Sequence, residues 1–222
     1  MAGQSKVADS FILPDQEPYR DVQAKYTVKY PYDPRQSLEL LQSIGYAPGA
    51  DGFLHDAAGA QLAWLARTTA GDDLREKILL ISADNWKRAG MNVSTYIIPR
   101  QQADDPEYRA NFPAMELVRQ PADINGTRNV HGRTTSLPEN SYKGTGNRSR
   151  YFNKDLDDLI DRLFTTISLP DRREVMGQID HILTTDVPFF MIMYATGTFL
   201  VNNRVTNFKS DGPWNSYQWD VK

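Results

Sequence analysis

QLAWLARTTAGDDLREKILLISADNWKRAGMNVSTYII, residues 61–98, decides the fold. Gln61–Arg67 alternates as a strand, with Leu62, Trp64 and Ala66 on one face and Ala63 and Leu65 on the other. Asp72 or Asp73 then opens a long helix that runs to about Ala89 and stops at Gly90. Leu74, Ile78, Ile81 and Asn85 form its stripe, flanked by Leu79 and Trp86. Met91–Ile98 is rich in β-formers. Strand, helix, strand in this order predicts a βαβ unit with two parallel strands.

Outward from this unit the pattern stays α/β. Upstream, Asp33 caps a helix over 34–44, with Pro34 in its first turn and Gly45 at its end. Leu38, Leu41 and Ile44 give it one apolar stripe. Gly49, Gly52 and Gly59 punctuate a turn, short strand and turn before residue 61. Downstream, residues 99–112 form a charged connection with a helical turn near Asp105–Ala110, and Ala114–Val118 reads as a short buried strand. Two helices follow, one on Leu156, Leu159, Ile160, Leu163 and Ile167, the other on Val175, Met176, Ile179, Ile182 and Leu183 with Pro170 near its start. Pro188 then begins a strand, Phe189–Tyr194. Residues 1–32 read as irregular, and the tail to Lys222 is polar with scattered aromatics.

The chain has 222 residues, enough for a substantial core. Its net charge of −3 implies no nucleic-acid surface. It has no cysteine, so disulfides, thiolate catalysis and Cys-zinc sites are excluded. No apolar run approaches the ~18 residues that cross a bilayer. MAGQSKVADS lacks the apolar core of a signal peptide.

Signals for chemistry are sparse. His55, His131 and His181 lie far apart and read as surface or loop residues, not metal ligands. The pairs Asp72-Asp73, Asp104-Asp105 and Asp157-Asp158 sit at helix starts, where the macrodipole favours negative charge. Lys143–Gly146 lacks the spacing of a phosphate loop. Sequons at Asn92, Asn125 and Asn147 are weak patterns. No catalytic residue, metal site or cofactor is expected. The region from Arg119 to Tyr151 stands apart. Arg119, Arg128, Arg133, Arg148 and Arg150 occur there with several asparagines and glycines, Tyr142 and Tyr151. Such groups suit either a polar ligand or a solvated surface loop.

Four stretches in register carry a resemblance: YPYDPRQSLELLQSIGY, DGFLHDAAGAQLAWLART, ISADNWKRAGMNVSTYIIP and RYFNKDLDDLIDRLFTTISLPDRREVMGQIDHILTTDVPFFMIMY. Together they resemble the C-terminal portion of the family 5 extracellular solute-binding proteins, the peptide- and nickel-type receptors of ABC importers. The match runs from about Ala8 to Val205. Where many peptide binders of that family carry an aromatic-rich loop, this chain has VRQPADINGTRNVHG, so a ligand other than a typical peptide is implied. Family members are more than twice as long.

The resemblance implies an α/β fold: a periplasmic-binding-protein-like lobe, a mixed β-sheet covered by about four helices. It places an irregular N-terminal segment at 1–32, the ligand-binding lobe at 33–195, and at 196–222 a tail that would return to a missing N-terminal lobe. It implies capture of a small polar solute in an inter-lobe cleft outside the membrane, delivery to an ABC permease, and no enzymatic step. The ligand-binding candidates are Arg119, Asn125, Arg128, Asn147 and Tyr151, with Asn153 as the N-cap of the acidic helix behind them. Met191, Met193, Phe199, Trp214 and Trp219 are candidates to face the missing lobe, or to complete this lobe's own core. The rival readings are a carbohydrate- or peptide-directed hydrolase and a lobe retained for protein interaction.

Overall fold

A computed structural model describes residues 5–14, 16, 18–144, 146–195, 200–208 and 213–221, the side chains of 213–215 excepted. The chain divides into two compact units, Asp9–Phe190 and a smaller one made of Met1–Ala8 with Met191–Lys222.

The larger unit is built on the expected βαβ element. Strand β3 (Ala63–Thr69) pairs in parallel with β4 (Asn92–Ile98) along seven residues, from Ala63↔Asn92 to Thr69↔Ile98. Helix α3 (Asp73–Arg88) connects them. Asp72 caps it by accepting from the Arg75 N–H at 3.2 Å, and Gly90 at φ +86° takes the left-handed turn that leads out. Strand β5 (Met115–Glu116) lies on the other side of β3, also parallel, so the order is β4-β3-β5. Antiparallel pairing sits in separate small sheets. One is formed by β1 (Ala47–Pro48) and β2 (Leu54–His55).

Ala66, Leu79, Ala83 and Val93 form the buried centre of this layer, with Trp64, Trp86, Met91, Met115 and Leu117 against it. The buried face of α3 therefore follows Leu79, Ala83 and Trp86, not the stripe through Ile81, which is exposed. Both stripes have helical spacing; the larger Trp86, edge-on to Trp64 at 5.7 Å, decides which one turns inward.

Helix α1 (Tyr19–Lys25) stands within the stretch read as irregular, and buries Val22. Helix α2 (Pro34–Ser43) forms as expected on the Asp33 cap, which accepts from the Arg35 and Gln36 N–H groups. Short helices α4 (Arg100–Ala103) and α5 (Pro106–Ala110) fill the charged connection. The two long helices, α6 (Lys154–Thr165) and α7 (Leu169–Asp186), pack on each other through Leu156, Ile160, Leu163, Val175, Ile179 and Leu183, all essentially buried. Asn153 caps α6 at the Leu156 N–H, as expected.

One element departs from the reading. Phe189–Tyr194 is not a strand; only Met193 makes a bridge, antiparallel to Val7. Within the smaller unit, Ala8 N–H donates to Ile192 O and Tyr194 N–H to Lys6 O, and among the described residues no longer segment runs alongside to pair the remaining groups. That unit also holds β6 (Val205–Thr206) and β7 (Asp220–Val221), paired antiparallel, with the Phe208 and Trp219 rings 5.1 Å apart. Met191, Met193 and Trp219 are half-buried. Phe199 and the Trp214 side chain lie outside the described residues.

Helix α7 ends on Val187 at φ 48°, ψ 50°. A β-branched residue is strained there, because its side chain crowds the backbone. Val187→Gly is expected to raise the unfolding free energy by about 1 kcal/mol. Urea denaturation reads this directly; a loss of stability would show that the side chain's contacts outweigh the strain.

Candidate functional site

Open parallel sheets receive ligands beyond the carboxyl ends of their strands. Here that edge carries a charge cluster. Arg67 on β3 and Glu116 on β5 are register partners, and both side chains are 3% exposed. Arg67 Nε donates to Glu116 Oε2 at 2.9 Å, and its Nη2 lies 2.9 Å from the same oxygen. Arg109, on α5, donates to Oε1 through Nε (3.0 Å), with its Nη2 2.6 Å from the same oxygen. Arg148, from the far end of the long loop, adds Nη1 at 2.9 Å. Three guanidiniums therefore share one carboxylate, and the cluster keeps an excess of two positive charges. Arg67 also donates Nη2 to Tyr108 O and lies over the Tyr108 ring.

Such a cluster is biased toward anions. Burial pushes the Arg148 guanidinium below its ordinary pKa, the Arg109 charge adds to this, and Glu116 opposes it. Arg148 gives Nη1 to Glu116, while its Nε and Nη2 bond to none of the described residues. They are the donors left for a further acceptor.

The loop that brings Arg148 here is tightly built. It winds through 3-10 turns at Asn125–Val130, Gly132–Thr134 and Pro138–Asn140. Its glycines serve close approach: a Cβ on Gly126 would lie 2.1 Å from Pro121 O, and one on Gly146 2.3 Å from the Asn129 Cα. Asn147 is buried and holds the loop's end. Its Nδ2 donates to Tyr151 O (2.7 Å), and its Oδ1 accepts from the Tyr151 N–H (3.2 Å) and the Ser149 hydroxyl (3.1 Å).

The structure joins Asn147 to Tyr151 through these bonds. The Tyr151 hydroxyl turns to Asp186 at the end of α7 and accepts from Asn153 Nδ2. Burial, then the bond to Asp186, pushes its pKa up to about 12. Arg119 is exposed and pairs with Asp72 at 3.2 Å, beside the start of α3. Asp72 is held below its ordinary pKa, chiefly by the Arg75 N–H. Arg128 is exposed and lies 3.9 Å from the centre of the Phe164 ring. Asn125 is exposed at the start of the first 3-10 turn.

The histidines remain apart. His55 pairs with Asp51, His181 meets Tyr26 O, and buried His131 accepts at Nδ1 from the Arg133 N–H. Among the described residues no group of three or more histidine or acidic side chains could hold a metal. No helix among them is long and apolar enough to cross a membrane.

The Arg67–Glu116–Arg109 core was not visible in the sequence, because its members are up to 49 residues apart. The one local signal was that Glu116 is an acid inside an otherwise apolar strand, AMELV, where only a paired carboxylate is tolerated.

No family model and no curated protein matches the chain. Solved structures do. NikZ of Campylobacter jejuni, in complex with Ni(L-His), superposes with a TM-score of 0.72 at 21% identity, over 98% of this chain and 44% of NikZ. The oligopeptide-binding protein AppA of Bacillus subtilis, solved with a nonapeptide, gives 0.71 at 17%, over 99% of this chain and 43% of AppA. A mannohexaose-bound periplasmic oligopeptide-binding protein of an ABC transporter from Thermotoga maritima gives 0.68 at 24%, over 86% and 36%. The chain thus spans less than half the length of each. It has the α/β fold of one lobe of a periplasmic binding protein.

Proposed function

We propose that this chain is the lobe of an extracytoplasmic solute-binding protein that takes up one side of a polar, carboxylate-bearing solute for an ABC permease. A second lobe, N-terminal in the whole protein, would close over the other side of the solute. The observation that carries the reading is the surplus of guanidinium donors at the carboxyl edge of the parallel sheet. An acyl carboxylate presented to Arg148 Nε and Nη2 would complete a bidentate pair and offset the excess charge. Exposed Arg119, Asn125 and Arg128 would extend the donor surface, while Asn147 and Tyr151 shape the loop that carries Arg148.

The fold likeness supports the solute-binding part of this reading: AppA and the Thermotoga protein are named oligopeptide-binding proteins and were solved with a nonapeptide and with mannohexaose, and NikZ was solved with Ni(L-His); the choice of a carboxylate rests on the arginines. No bond is made or broken in it, so selectivity rests on donor geometry alone. The test is a thermal-shift and calorimetric screen of the 222-residue chain with di- to pentapeptides, opine-like acids, chelated nickel and neutral oligosaccharides. The expected result is a shift with carboxylate-bearing solutes only, weakened about tenfold or more in Arg148→Gln. A shift with neutral sugars alone, or one that Arg148→Gln leaves intact, overturns the assignment.

A further inference from the structure

The β4-β3-β5 sheet leaves one long edge open. Asn92 N–H donates to Leu62 O (2.8 Å) and Ala70 N–H donates to Ile98 O (2.9 Å), which brackets the β3–β4 ladder at both ends. Parallel pairing then directs the main chain of residues 92, 94, 96 and 98 toward β3, and that of 93, 95 and 97 away from it. Val93 satisfies its N–H locally on Met91 O. Among the described residues nothing pairs with the outward groups of Thr95 and Ile97.

Proteins usually guard such an edge with lysine, proline, a bulge or a covering loop. Strand β4, NVSTYII, has no charge and no proline, and its register with β3 is unbroken. Four successive residues, Ser94 to Ile97, are exposed, including Tyr96 and Ile97.

The charges at its two ends differ. Exposed Lys87 closes α3 just before β4, beside Arg88, which is paired with Asp84 at 2.7 Å, and exposed Asp104 and Asp105 follow α4 just after it. The Arg100 guanidinium is folded back over Gly71. Antiparallel pairing of two such edges sets the basic end of each against the acidic end of the other; parallel pairing would set like against like.

We infer that β4 is a docking edge for β4 of a second copy of this chain, antiparallel about a two-fold axis near Tyr96. Thr95 of each copy faces Ile97 of the other, which closes four main-chain hydrogen bonds and joins two three-stranded sheets into one of six.

The test is sedimentation equilibrium of the whole chain from low micromolar to submillimolar concentration, with amide exchange followed by NMR. The expected result is a monomer–dimer equilibrium in which the Thr95 and Ile97 amides gain protection as concentration rises. Thr95→Pro removes an outward donor and Thr95→Lys places a charge on the edge. Each is expected to weaken association about tenfold or more while leaving the melting curve of the monomer in place. Lys87→Glu is expected to weaken association, and adding Asp104→Lys to restore it. A monomer at every concentration overturns the inference. So does a dimer that survives Thr95→Pro, or one in which Thr95 and Ile97 stay unprotected, whether another surface or another class of partner proves to be used.

Discussion

Glu116→Gln is expected to destabilise the larger unit by about 3–5 kcal/mol, the usual cost of removing one partner from a buried ion pair. The substitution keeps the shape of the side chain, removes its charge and turns one acceptor oxygen into an amide donor that faces the guanidiniums. Arg67, 3% exposed, then has no carboxylate within reach, and Arg109 and Arg148 repel it and each other. Urea denaturation at neutral pH measures the loss. Multivalent anions such as phosphate or citrate are expected to recover more stability in the variant than in the wild type, since they offset its larger surplus of positive charge from the exposed side of Arg109 and Arg148. A loss below about 1 kcal/mol would mean that the three arginines are already neutralised by water and counterions, as exposed pairs are.

The second large effect is at Asp180, fully buried on α7. Its carboxylate accepts from the Ser10 hydroxyl (2.8 Å), the Phe11 N–H (3.0 Å) and the Thr27 hydroxyl (2.5 Å). Asp180→Ala strands these donors and is expected to cost about 3 kcal/mol. Asp180→Asn keeps an acceptor for Ser10 and Phe11, and the Thr27 hydroxyl can rotate to accept, so it is expected to stay within about 1 kcal/mol of the wild type at neutral pH.

The pH dependence gives the sign. Burial raises the Asp180 pKa above its ordinary value of 3.8, against the three hydrogen bonds that favour the anion. Its contribution to stability is therefore greatest below the unfolded value, and shrinks as pH rises through the folded one. The stability of Asp180→Asn relative to wild type should increase from pH 4 toward neutrality, the reverse of an ordinary salt-bridged carboxylate. Paired urea titrations across that range measure the slope; a flat or inverted difference would show that the hydrogen bonds outweigh burial.

What could be read from the sequence was local. Asp33, Asp72 and Asn153 sit directly before helical periods and cap those helices. Gly90 stops α3 because the chain must take a left-handed turn there to enter β4 two residues on. The parallel pairing of β3 and β4 followed from the helix between them, since a hairpin turn is too short to hold it. Non-local pairing was harder to read. VPFFMIMYA has the composition of a strand, yet a strand exists only where another supplies its hydrogen bonds, and among the described residues only Lys6 to Ala8 runs alongside. Ile81 and Leu79 carry similar hydropathy, so the spacing alone could not choose which faced the sheet.

The candidate site shows the same limit. Residue types marked the 119–151 loop as unusual, but singled out Asn147 and not Arg148 as a ligand-binding candidate. Burial separates them: Asn147 spends its amide on Tyr151 and the loop, whereas Arg148 keeps two nitrogens uncommitted. Tyr151 likewise looked like a free aromatic, because Asp186, 35 residues on, does not announce itself as its partner.

The bonds to Asp180 also bear on the order in which the chain is made. Ser10 and Thr27 leave the ribosome 170 and 153 residues before the carboxylate they bind, and Val28 waits for the Thr184 hydroxyl. The β3–α3–β4 unit is contiguous and is made early, but Met115 and Leu117 pack on its core and Glu116 neutralises buried Arg67, so it is complete only once β5 has followed. The start of the larger unit cannot make these bonds until α7 has been translated, while the β4 edge of the half-built sheet is already exposed.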